Sequence, residues 1–286
     1  MSTENKHPLV AVVGAGTMGL QISLLLAAKK INVVLVDVSR QKLDQALLRM
    51  RNDVRLINMM ATENDRITDA CIENIALTTD INDVTACSIL IENISEDVSL
   101  KKKLYARLAE VIQPHTIIAV NTSCIPVNSI AEMLPDPSRV IGCHFMNPVY
   151  FKKLVEVVRT PFNTMTELTT LTDFLKSIGK SSVIVQDSPG FVANRISHLM
   201  MNEAAAIIQE KLCSPKELDL IFKLGYGHAM GPLETADLIG IDTVVNSLRV
   251  LEDNLDRKKF LCCSLLTDMV EQGKLGRKSG EGFYSY

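Results

Sequence analysis

Tryptophan is missing from the 286 residues, aromatic residues make up only 5%, and neither charge sign dominates. Thirty lysines and arginines face 33 aspartates and glutamates, a formal charge of −3. The lack of tryptophan carries no functional meaning. The near-balance of charge offers no general attraction for nucleic acid or an anionic membrane, so neither is expected as a partner. No apolar run approaches the roughly 20 residues that a spanning helix needs. Residues 1–8 are polar, and the apolar run after them is broken by Gly14, Gly16 and Gly19. That run reads as strand and turn rather than as a targeting signal, and the chain is expected in the cytoplasm. The seven cysteines (Cys71, Cys87, Cys124, Cys143, Cys213, Cys262 and Cys263) show no C-x-x-C and no metal-like spacing. They read as reduced thiols, mostly buried as small hydrophobes, and no metal site is expected.

What is present is an ordinary globular composition, 47% hydrophobic and 22% charged, at a length that favours two domains. Short β-branched runs at 9–13, 32–36, 75–79, 89–92, 116–120, 140–144, 154–158 and 183–185 read as strands. Helical patterns lie between several of them, notably after Gly19 to residue 30 and at 39–60, 98–112 and 165–178. Strands alternating with helices predict an α/β, Rossmann-type doubly wound, mostly parallel sheet over residues 1–187. After the turn signal Ser188-Pro189-Gly190 the texture changes to helices separated by Gly and Pro, beginning with a long one at 191–211. An all-α domain is therefore expected over 188–286.

Gly14-x-Gly16-x-x-Gly19 sits between the first predicted strand and the first predicted helix. The first glycine permits the tight turn, the second lets backbone approach a pyrophosphate, and the third lets helix pack on strand. With Thr17 and Met18, these glycines form the expected pyrophosphate cradle at a helix N-terminus, where free N–H groups and the positive dipole end favour an anion. Asp37 closes the second strand, where a carboxylate hydrogen-bonds the adenosine ribose and repels a 2′-phosphate. NAD is the expected cofactor. NADP stays open, because Arg40 lies close enough to accept a phosphate.

Oxidising a secondary alcohol by hydride transfer needs a base for the hydroxyl proton. His144 is the candidate, since imidazole titrates near working pH. Glu156 follows on what reads as the next strand, flanked by Val155 and Val157, where a carboxylate could fix the far ring nitrogen and stabilise the imidazolium. His7, His115, His198 and His228 earn no role.

The chain also carries an ordered set of motifs: Asn121-Thr-Ser123, His144-Phe-Met-Asn147-Pro148, Leu154-Val-Glu156-Val, Asp187-Ser-Pro-Gly-Phe-Val-Ala-Asn194-Arg195, Gly231-Pro-Leu-Glu234 and Gly280-Glu-Gly-Phe-Tyr284. Together they resemble the 3-hydroxyacyl-CoA dehydrogenase family, which includes 3-hydroxybutyryl-CoA dehydrogenases. The resemblance runs from Leu9 to the C-terminus. It implies an NAD-dependent dehydrogenase that interconverts 3-hydroxyacyl and 3-oxoacyl thioesters, with His144 and Glu156 as the base pair. By the same resemblance, Ser123 and Asn194 meet the substrate oxygens and the nicotinamide region, and Asn121 and Asn147 line the nicotinamide end. Glu96, Lys101 and Lys278 are implied as further cofactor contacts, against a plain solvated face for both lysines. A homodimer is implied as well, in keeping with apolar helices that are long for so small a second domain.

Two departures from the family pattern concern the substrate. Relatives carry a lysine-rich stretch after the second strand, where cations meet the phosphates of coenzyme A. Here residues 55–64 hold Arg55 and no lysine, with Met59-Met60 offering an apolar surface instead. After Pro148 the chain reads Val-Tyr150-Phe151-Lys152-Lys153, where a second proline and an apolar residue are usual. An acyl-CoA substrate is the general expectation. A small hydroxyacyl unit such as glyceryl, bound to an acyl carrier protein in polyketide extender-unit biosynthesis, is one alternative, and a gulonate-type polyol acid is another. A dinucleotide-binding sensor or structural protein without turnover is a fourth reading.

Overall fold

The computed structural model describes residues 9–63, 66–123 and 125–286. His7, Asn64 and Cys124, which figured in the readings above, lie outside the described residues. The chain divides between Asp187 and Ser188 into two compact units.

The first unit is built on one eight-stranded sheet of order β3-β2-β1-β4-β5-β6-β7-β8. Its strands are β1 (Leu9–Val13), β2 (Asn32–Val36), β3 (Ile75–Thr78), β4 (Ile89–Glu92), β5 (Ile117–Val120), β6 (Val140–Phe145), β7 (Leu154–Arg159) and β8 (Ser181–Gln186). Strands β1 to β6 pair in parallel, β7 runs antiparallel to β6, and β8 is parallel to β7. The helices are α1 (Thr17–Ala28), α2 (Arg40–Met60), α3 (Val98–Val111), α4 (Val127–Ala131) and α5 (Met165–Ser177). Val10 and Val12 pack with Leu24 of α1, Met50 of α2 and Leu171 of α5 on one face of the sheet. Ala11, Leu90 and Ile118, of opposite parity, are equally buried, so the sheet is covered on both faces. This is why its strands read as continuous apolar runs rather than alternating ones.

Helix starts follow local chemistry. The Ser39 side chain accepts from the Lys42 N–H at the head of α2, and Asp97 accepts from the N–H groups of Ser99 and Leu100 at the head of α3. The edge strand β8 is longer than the predicted 183–185, and Val183 and Ile184 on it are half exposed.

The second unit is helical: α6 (Ala193–Gln209), α7 (Pro215–Tyr226), α8 (Pro232–Ile239), α9 (Ile241–Asn254), α10 (Arg257–Phe260) and α11 (Ser264–Glu271). Its core gathers Met201, Val244, Leu248, Phe260 and Leu266. Helix α6 starts two residues later than predicted, because Gly190 and Phe191 both take positive φ. Of the six described cysteines, all free, only Cys87 and Cys143 are buried; the other four are half-buried, which corrects the expectation that most are core residues. Among the described residues, no helix is long and apolar enough to cross a membrane.

Candidate active site

The glycine turn leaves β1 at Gly14, whose φ of +105° only glycine takes without strain. A Cβ there would sit 2.6 Å from the Asn93 carbonyl oxygen, and one on Gly19 would overlap the Gly14 carbonyl. Gly16 differs: a Cβ on it would meet open space. It is the N-cap of α1, and no side chain caps that helix. The amide groups of Thr17, Met18 and Gly19 therefore head a helix with no acidic residue in its first turn.

Asp37, 8% exposed, accepts from the Ala15 N–H at 2.8 Å and the Ser39 N–H at 2.9 Å. It fixes the turn and closes one wall of a cavity of about 630 Å³ that Gly14 and Gly16 also line. A dinucleotide requires bare backbone, an uncapped helix end and a carboxylate at the second strand, and all three border this space. Arg40 is held by Asp44 at 3.0 Å. The cations that do line the cavity are Lys42, Lys103 and Arg107, which sequence reasoning missed.

On the other side of β4 a second group assembles. In the antiparallel β6–β7 pair, His144 stands directly opposite Glu156. Neither ring nor carboxylate is more than 7% exposed, and His144 Nδ1 lies 2.9 Å from Glu156 Oε2. A carboxylate only accepts, so Nδ1–H donates and Nε2 of the neutral ring is left as acceptor. The Ser123 hydroxyl lies 3.4 Å from that Nε2.

The Ser123 loop is held by Glu96, whose Oε1 accepts from the Thr122 hydroxyl at 2.5 Å and the Ser123 N–H at 2.9 Å. Asn121 accepts from the Phe145 N–H at 3.1 Å and donates to Asn93 at 2.7 Å, joining the ends of β4, β5 and β6. Lys101 is not solvated: its fully buried ammonium donates to buried Glu92 at 2.6 Å and stands 3.9 Å from Glu96. It therefore braces the Glu96 side of the site from beneath. Asn147 is exposed in the turn after β6. Tyr150 packs on the core of the first unit and lies edge-on to Phe151.

The structure thus gathers Ser123, His144, Glu156, Glu96, Lys101 and Asn121 within the first unit. Asn194 and Lys278 belong to the second. Asn194 lies in the first turn of α6, where its carbonyl accepts from His198 Nδ1 at 2.8 Å. His198, for which no role was expected, is buried and tied by this bond to its own helix. Lys278 donates to Asp242 at 2.6 Å. The two C-terminal motifs hold the second unit together. Glu234 caps α8 and pairs with Lys223 at 2.5 Å, while the Phe283 and Tyr284 N–H groups both donate to Asp237 at 3.0 Å.

Residues 9–188 match the model of the 3-hydroxyacyl-CoA dehydrogenase NAD-binding domain, and residues 190–286 match that family's C-terminal domain. A 3-hydroxybutyryl-CoA dehydrogenase of Clostridioides difficile is 36% identical over 282 residues, covering 97% of this chain and 99% of its own. One of Bradyrhizobium diazoefficiens is 35% identical over 278 residues, covering 97% and 94%. The crystal structure of an (S)-3-hydroxybutyryl-CoA dehydrogenase from Ralstonia eutropha superposes with a TM-score of 0.89 at 37% identity, covering 98% of this chain and 99% of that one.

Proposed function

The chain belongs to the 3-hydroxyacyl-CoA dehydrogenase family of NAD-dependent oxidoreductases, and from that premise we propose that it interconverts 3-hydroxyacyl and 3-oxoacyl thioesters with His144 as the base. The observation that carries this reading is the buried His144–Glu156 contact at 2.9 Å, with Nε2 of the ring turned to Ser123.

Bound NAD accepts or supplies the hydride. Gly14, Gly16, Thr17, Met18 and Gly19 would hold its pyrophosphate and Asp37 its adenosine ribose. Asn121, Asn147, Glu96 and Ser123 would serve the nicotinamide end, with Lys101 acting through Glu92 and Glu96, and Lys278 as a further contact. His144 Nε2 takes the proton of the 3-hydroxyl as the carbonyl forms and returns it in the reverse direction. Glu156 keeps Nδ1 protonated and stabilises the imidazolium while it carries both protons. The Ser123 hydroxyl and the Asn194 side chain hydrogen-bond the substrate oxygens and so align the reacting carbon. The cytoplasmic setting and a homodimer belong to the same reading.

A second reading, a small hydroxyacyl unit on an acyl carrier protein, draws support from the end of α2. There Leu56, Met59 and Met60 are 58%, 82% and 73% exposed on a stretch without lysine. Such a surface suits protein contact better than phosphate contact. A substrate panel read by NADH absorbance, varying carrier and chain length separately, tests both. Turnover of 3-hydroxybutyryl-CoA above that of the carrier-bound thioesters ends the second reading, and failure on every hydroxyacyl thioester ends the first.

A further inference from the structure

The chain passes from His144 to Glu156 through a turn over residues 146–153, and two side chains from remote elements hold the middle of that turn. Val149 is fully buried. Its N–H donates to the side-chain oxygen of Gln21 at 2.7 Å, and its carbonyl accepts from the ammonium of Lys180. The same ammonium donates to the Lys152 carbonyl at 2.7 Å. Gln21 stands on α1, one turn beyond the glycine cradle, and Lys180 lies between α5 and β8.

Lys180 is 6% exposed, and among the described residues no carboxylate forms an ion pair with it. Burial, with the nearby charge of Lys29, pulls its pKa down to about 8. A buried cation is an unfavourable way to satisfy two carbonyls unless their position matters. One residue is thereby gripped at both its N–H and its carbonyl, which belong to successive peptide groups. One of the two grips comes from the helix that begins at the glycine cradle.

We propose that Gln21 and Lys180 are positioning residues for the hydride-transfer reaction. By clamping Val149 from both sides they fix where Asn147 and the His144 end of β6 stand relative to the glycine cradle. The inference rests on the reading of His144 as the base. Misplacement of a reacting group by about 1 Å can lower the rate on the order of 10²-fold, so a slackened clamp acts on kcat before it acts on binding.

The test compares Gln21→Met, which removes the acceptor, with Gln21→Glu, which keeps one, and adds Lys180→Met and the double variant. Each is measured as the full chain for kcat, for KM of a 3-oxoacyl thioester that the wild type reduces, and for thermal melting. Each Met variant should lose about tenfold or more in kcat with KM within about twofold. The Glu variant should return to within about threefold of the wild type. The double variant should be no worse than the poorer single one, since both grips act on one residue.

Cooperatively melting Met variants with wild-type kcat would overturn the inference. So would a Glu variant no better than Gln21→Met, or losses that multiply in the double variant. If Lys180→Met does not fold, the pair at half-buried Gln21 decides alone. A wild type inactive on every hydroxyacyl thioester removes the functional reading and this inference with it; an active wild type matched by its variants removes the inference only.

Discussion

The base role proposed for His144 depends on one hydrogen bond that a single atom exchange can test. A carboxylate at Glu156 fixes Nδ1–H and meets the charge that develops on the ring; an amide at the same place does neither well. Glu156→Gln should therefore lower kcat by at least about 10²-fold while leaving NADH binding within about twofold. His144→Gln, which removes the proposed base, should lower kcat by roughly 10²–10⁴-fold with NADH binding equally spared. NADH fluorescence titration beside steady-state rates checks both, and parallel loss of binding and rate would make His144 structural. This pair was legible in the sequence because its chemistry is scarce: one histidine near the end of β6 and one glutamate within β7 stand among apolar neighbours. Lys101 was not, since a triple-lysine run reads as a solvated face. A signal was nonetheless present. Lys101, Tyr105 and Leu108 follow each other at helical spacing, and all three are fully buried, so the inward stripe of α3 begins with the lysine.

At the scale of elements, the glycine turn separates two duties that sequence alone runs together. Gly19 serves packing: a Cβ there would overlap the Gly14 carbonyl oxygen, backbone that cannot swing aside. Gly16 is the glycine proposed to serve the ligand, because among the described residues a Cβ there meets nothing within 4 Å beyond its own chain neighbours. Gly19→Ala should lose on the order of 1–3 kcal/mol of stability. Gly16→Ala should melt within about 2 °C of the wild type and bind NADH about tenfold more weakly or worse. Differential scanning calorimetry with NADH titration reads the contrast. A Gly16→Ala chain that binds NADH like the wild type would remove the dinucleotide from this cradle. The strands of this region were legible from their β-branched runs, since a doubly covered parallel sheet needs apolar residues at every position. Strand β8 was read short because Ser181, Ser182 and Gln186 are polar. They are strand through the ladder they make with β7, a property of the partner. The β6–β7 register, which sets His144 against Glu156, is likewise a property of two strands together, and a slip of one residue would turn the carboxylate to the other face.

At the scale of the whole molecule, the question is what the second unit does with its apolar surface. Helix α7 buries Leu218 and Asp219 inward yet leaves Leu220, Ile221, Leu224 and Tyr226 between 48% and 79% exposed. On α6, Val192 at the N-cap and Ile196 are 54% and 63% exposed. Exposed apolar side chains on these two helices suit the association surface proposed above. In a homodimer one self-complementary patch covers itself across a two-fold axis, so each substitution acts twice. Ile221→Glu combined with Leu224→Glu would place four new carboxylates in such an interface and make it repulsive as well as less apolar. Light scattering after size exclusion should give the wild type at twice the mass of one 31.6 kDa chain. The double variant should fall to the single-chain mass with its helical circular dichroism intact, because both side chains already point away from the unit's own core. A wild type at single-chain mass, or a variant that stays at twice that mass, would assign these residues to some other role.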